Sequence, residues 1–130
     1  MNSRLGPSYR FSDLVIWLRG AAFSTDNYQR QKDCSIQAEK IVRETGETIL
    51  QNHYNPKTEH CYVYTMNIVK QDGTDYNWWI LYDGFKKSQL ANRVLAYPNK
   101  KFYESCIVNG VAVSYREFSE YVNKLLENGE

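Results

Sequence analysis

Charge of one sign is missing from this chain: 16 Lys and Arg stand against 15 Asp and Glu over 130 residues, a formal net charge of +1. A strong basic field of the kind that draws nucleic acid is therefore excluded, and nucleic acid is not an expected partner. Long hydrophobic runs are missing as well. The longest apolar-rich stretches, residues 61–69 and 76–82, fall far short of the roughly 20 residues that cross a bilayer, so no membrane span is expected. Near the start, Arg19 cuts the apolar run 14–18, leaving it shorter than the roughly 7–15 residues of a signal-peptide core.

The chemistry-bearing residue types are equally thin. None of the 7 glycines is spaced as a phosphate-cradling loop at a strand–helix junction, which excludes the common nucleotide motifs. There are 2 histidines and 3 cysteines, with no C-x-x-C pair. His60 and Cys61 are neighbours, and on a strand neighbours point to opposite faces, so neither a metal site nor a Cys–His nucleophile is built there easily. No metal or cofactor is expected. An odd cysteine count leaves two options open: one internal bridge plus a free thiol, or three buried thiols.

What the chain does hold is aromatic residues, 15% of the total with 11 Tyr and 3 Trp. They concentrate in residues 52–126, where alternating segments are cut by polar turns. Residues 61–69 read as a strand with Tyr62, Tyr64, Met66 and Ile68 on one face, the expected core face. Gln71-Asp72-Gly73-Thr74 reads as a hairpin turn. The strand 75–83 carries Trp78 and Trp79 on opposite faces, which predicts a central strand covered on both sides. The next turn falls at Asp83-Gly84 or at Lys86-Lys87-Ser88, the second being favoured because it lengthens the strand before it. Strands near 89–97 and 102–108 follow, and Asn109-Gly110 is a strong hairpin dipeptide after which 111–113 pairs back briefly.

Helices bracket this sheet. Ser12 suits a helix N-cap before a short helix that Gly20 stops, behind a loose arm of residues 1–11. Residues 22–32 read as a polar connector. A stronger helix begins near Asp33 or Ser35, with Cys34, Ala38, Ile41, Val42, Thr45 and Ile49 on one face and Gly46 weakening its end. His53-Tyr54-Asn55-Pro56-Lys57 is then a turn into the sheet. At the other end, Ser114-Tyr115-Arg116-Glu117 is a capping box that opens a helix with a stripe of Tyr115, Phe118, Tyr121, Val122 and Leu125. The expected fold is α+β: an antiparallel sheet of about four strands, with a preceding helix and a C-terminal helix packed on it. Residues 1–32 form an N-terminal arm with a short helix, and residues 33–130 a single domain.

Candidate site residues follow from the aromatic sheet. Tyr62, Tyr64, Trp79 and Tyr82 form a candidate ligand-binding platform, with cross-strand core packing as the competing reading. Asp83 is the one carboxylate set among aromatics, where desolvation would suit it to acid catalysis; the competing role is a turn cap. With His53 and Cys61 it makes the candidate set for a small hydrolase or transferase. The favoured function is a non-enzymatic binding or inhibitor module whose partner is a protein or a small ligand. A phage-defence or nucleic-acid-facing interaction protein is the further alternative.

One set of motifs carries a resemblance. It comprises Cys34, Gln37, Ala38 and Lys40; His53, Tyr54, Asn55 and Lys57; Cys61, Tyr62 and Val63; Leu81, Tyr82 and Asp83; Cys106 and Val108; and Glu117, Phe118 and Val122. In that order and spacing, over residues 33–126, the chain resembles a family of small proteobacterial cell-envelope proteins that begin with a signal peptide and have no established activity. The resemblance implies a periplasmic or envelope location and oxidised cysteines rather than a reaction, with a cytoplasmic location as the alternative. Two departures stand out: the start does not read as a signal peptide, and Gly84 replaces a usual alanine. Of the three pairings, Cys34–Cys61 is the expected bridge. The turn at 53–57 folds the chain back, so a helix lying along the sheet brings the two Cα atoms within about 7 Å. Cys61–Cys106 is the next candidate, and three thiols the reading without oxidation.

Overall fold

The computed structural model describes residues 13–98 and 101–128. The protein is α+β with an antiparallel sheet. Its contacts divide it into two units, Met1–Lys32 and Asp33–Glu130. Helix α1 covers Asp13–Thr45, and six strands follow: β1 (Thr48–Asn55), β2 (His60–Gln71), β3 (Thr74–Asp83), β4 (Ser88–Ala96), β5 (Tyr103–Val108) and β6 (Val111–Val113). Helix α2 (Tyr115–Asn123) ends in a π-helical turn, Lys124–Asn128. The strands lie in sequence order, every neighbour antiparallel.

The sheet therefore has six strands rather than about four. One addition is β1, which takes Ile49 and residues 53–55 out of the expected helix and turn. Thr48, Ile49 and the polar run after them pair with β2 from Thr48↔Met66 to Asn55↔His60, so tertiary pairing overrides a helical spacing that Gly46 had already broken. The other is β6, short but fully paired with β5. Residues 22–32, expected as a connector, are helical, and α1 runs through Gly20 without stopping. The expected loose arm and Ser12 cap lie outside the described residues. The β3–β4 turn occupies residues 84–87, so β3 ends at Asp83 and does not extend towards Lys86.

Within the second unit, each face of the sheet carries a helix. On one face, Cys34, Ala38 and Ile41 of α1 pack against Tyr54, Cys61, Val63, Ile80 and Tyr82. On the other, Phe118 and Val122 of α2, with Leu125 and Leu126 of the π turn, pack against Tyr62, Leu81, Ala91 and Cys106. The face of β2 expected to be core is thus the less buried of its two: Cys61, Val63 and Thr65 are fully buried, whereas Ile68 is 65% exposed. β3 is central, and its second half, Ile80–Asp83, is buried between the two faces, with Ile80 and Tyr82 on the α1 side and Leu81 on the α2 side.

Local chemistry explains the turns. Asp72 and Gly73 both adopt positive φ, which suits a two-residue hairpin, and Asn109 and Gly110 repeat the arrangement. The Ser114 hydroxyl accepts from the Glu117 N–H at 3.1 Å, and the Glu117 carboxylate accepts from the Ser114 N–H at 3.1 Å. These two bonds favour the charged form of Glu117 and lower its pKa. Gly46, at φ +79°, ends α1 and donates its N–H to the Val42 carbonyl at 2.8 Å. The left-handed turn there delivers the next residue, Glu47, to the sheet.

Candidate functional site

Helix α1 ends at Thr45, two residues before Glu47, and among the described residues no helix covers the sheet face beside Glu47. Glu47 stands at that border, and three hydrogen bonds fix its carboxylate. Thr65 donates its hydroxyl to Oε1 at 2.7 Å, and Tyr82 donates to Oε1 at 2.9 Å and to Oε2 at 3.1 Å. Burial and the bonded carboxylate both push the Tyr82 phenol well above its ordinary pKa, so it remains a protonated donor.

Beside Glu47 the strands β2 and β3 leave a pocket of about 330 Å³. Its floor is Ile80 and Trp78, its outer part Tyr76, Val69 and Gln71, and Asn67 lies opposite Trp78 across the β2–β3 ladder. The volume is at the lower end of ordinary small-molecule sites, about 300–1,000 Å³. No lysine, arginine or histidine is among the described residues that line it. Its polar groups are one fixed carboxylate, two amides, a phenol and the Trp78 indole N–H.

The residues expected to form one aromatic platform are split by the pleat. Tyr62, Tyr64 and Trp79 face α2, whereas Tyr82 faces α1 and holds Glu47. On the α2 face the Arg93 guanidinium lies between two rings, 4.7 Å from the Trp79 centroid and 4.1 Å from that of Tyr115, with Glu104 at 2.7 Å from its Nε. Burial raises the Tyr64 pKa to about 12 against the lowering influence of Arg93. That side is a packed interior with a small pocket of about 130 Å³ over Arg93.

Asp83, His53 and Cys61 do not form a constellation. Asp83 is buried, and its Oδ1 accepts from the backbone N–H groups of Phe85 and Lys86, each at 3.1 Å: it caps the β3–β4 turn. Its other oxygen lies 3.4 Å from Nδ1 of His60, not His53. His53 pairs with Tyr62, and Tyr62 pairs with Asp83, so two strand spacings, about 10 Å, separate the backbones of His53 and Asp83. Cys61 is joined to Cys34 in a disulfide, Cα atoms 5.4 Å apart, and has no thiolate to offer. Cys106 is a buried free thiol, its pKa raised first by desolvation.

Gly84 has a role beside this bridge. A Cβ there would sit 2.6 Å from the Cys61 sulfur and 2.9 Å from a Val63 methyl, so the alanine usual in the resembling family does not fit this turn without movement.

Of the pocket residues, Tyr76 and Trp78 belong to the wider aromatic set that the sequence offers as a stacking platform, whereas Glu47 and Asn67 carry no site signal in the sequence. The available signal was the tryptophan pair, which puts one indole on each face of the sheet. Comparison with family models, with curated proteins and with solved structures finds no match to this chain.

Proposed function

We propose that the protein is a non-enzymatic binding module whose site is the pocket beside Glu47. The observation that carries this reading is the carboxylate held by Thr65 and Tyr82 at the wall of an aromatic pocket. A preorganised polar group in a half-apolar concavity is the usual composition of a small-ligand site. The hydrolase or transferase reading loses support because Asp83 is occupied as a turn cap, Cys61 is oxidised and His53 stands apart. A nucleic-acid-facing role finds no cation among the described residues that line the pocket to meet phosphate.

For the compartment we propose the periplasm or cell envelope, as the resemblance implies, and the Cys34–Cys61 bridge supports an oxidising environment. Ligand-observed NMR with a small-fragment library tests the site. Binders are expected whose signals are lost with Trp78→Ala and kept with Tyr115→Ala, on the opposite face. Binders lost only with Tyr115→Ala would move the site to the α2 side.

A further inference from the structure

We infer that the ligand is a neutral oligosaccharide, one ring seated against Trp78 beside Glu47 and the chain continuing across the sheet to Tyr103. The inference rests on the pocket being the binding site and names what it binds.

The first argument is the donor–acceptor character of the lining. Asn67, Gln71 and Tyr76 each offer both a donor and an acceptor, and Glu47 is a fixed acceptor. Sugar hydroxyls are themselves both donor and acceptor, so every one of these groups finds a match. An ammonium ligand would satisfy Glu47 but offer no acceptor to the donors of Asn67, Gln71 and Tyr76. An anionic ligand would meet Glu47 with no cation among the described lining residues. The second argument is the aromatic wall: the apolar C–H face of a pyranose stacks on an indole or phenol ring, while the ring's edge carries the hydroxyls to polar partners.

The third argument is that the surface continues in register. Val69 pairs with Tyr76, Tyr76 with Ala96, and Ala96 with Tyr103, so these four residues form one row on the pocket's face of the sheet. Ala96 is the small residue between two tyrosines whose backbones stand two strand spacings, about 10 Å, apart. Tyr103 is 55% exposed, although it lies on a paired strand. A single compact ligand would use the pocket alone; a chain of linked rings uses the second tyrosine too.

Calorimetric titration with neutral hexasaccharides (cello-, chito-, malto- and laminari-linked), and separately with spermidine, tests this. At least one hexasaccharide is expected to bind, with affinity unchanged in 0.5 M NaCl because no charge is paired. Glu47→Ala should weaken it at least tenfold and Tyr103→Ala several-fold, the second being an exposed position whose loss leaves the fold intact. Glu47→Gln should weaken it only a few-fold, since the amide oxygen still accepts. Failure of all four sugars, or a hexasaccharide indifferent to both Glu47→Ala and Tyr103→Ala, overturns the inference. Spermidine binding that salt and Glu47→Gln abolish, without sugar binding, also overturns it while leaving the pocket as the ligand site. Absence of any binder dependent on Trp78 would remove the site itself.

Discussion

The two faces of the sheet are built from the same strands and do different things. Under α2 the apolar residues of β2–β5 meet Phe118, Val122, Leu125 and Leu126, and the polar groups there are tied down: Arg93 lies between two rings and a carboxylate, and Asp83 caps a turn. Under α1 the cover stops at Gly46, and where it stops a carboxylate takes its place. The comparison is sharpest at Trp78 and Trp79, adjacent in sequence. Trp79 stacks on Arg93 within the α2 side, and Trp78 is the floor of an open pocket. A helix that ends early on one face is what separates a core from a site.

The largest expected effect breaks the closed face. Phe118, 2% exposed, should lose about 4 kcal/mol on Phe118→Ala, whereas Trp78→Ala should lose about half as much because its ring already borders a cavity. Urea melts compare them, and equal losses would mean that both faces are packed alike. The disulfide comes next. It closes a loop of sequence separation 27, worth roughly 3 kcal/mol in the chain-entropy model. Cys34→Ala should cost that amount and remove the effect of reductant on the melt, while Cys106→Ala should leave the reductant effect in place.

Gly84→Ala should destabilise by about 1–3 kcal/mol, since the new methyl meets a sulfur tied down by its bridge and cannot swing away. A neutral outcome would show that the turn yields. The smallest effect concerns alkaline pH. The Tyr64 phenol titrates near 10 when unfolded and about 12 when folded, so its contribution is complete below pH 10 and is lost as pH rises towards 12. Stability measured across that interval should fall less steeply in Tyr64→Phe, and an unchanged slope would put Tyr64 in contact with water.

Much of the sheet was legible because its signals are local. Asp72-Gly73 and Asn109-Gly110 fix turns by backbone conformation, and Ser114 with Glu117 fixes a helix start. The bridge partners, Cys34 and Cys61, are an expectation that rests on one turn folding the chain back. β1 was not legible, because Thr48–Asn55 has no apolar alternation and becomes a strand only through its pairing with β2. The pocket was hidden for a related reason: Glu47 looks like one more solvated helix carboxylate until Gly46 turns it onto Thr65 and Tyr82, which lie 18 and 35 residues away in sequence. Periodicity tells which residues share a face, not where the covering helix stops.

The central claim is that Glu47 is fixed to the open face by Tyr82, and a double-mutant cycle of Glu47→Ala and Tyr82→Phe measures it directly. A hydrogen bond to a charged acceptor is worth about 1.5–3 kcal/mol, and the cycle should return a coupling of about 1.5 kcal/mol in urea melts. Additivity to within about 0.3 kcal/mol would contradict the account, leaving Glu47 a free surface carboxylate and the pocket without its fixed wall.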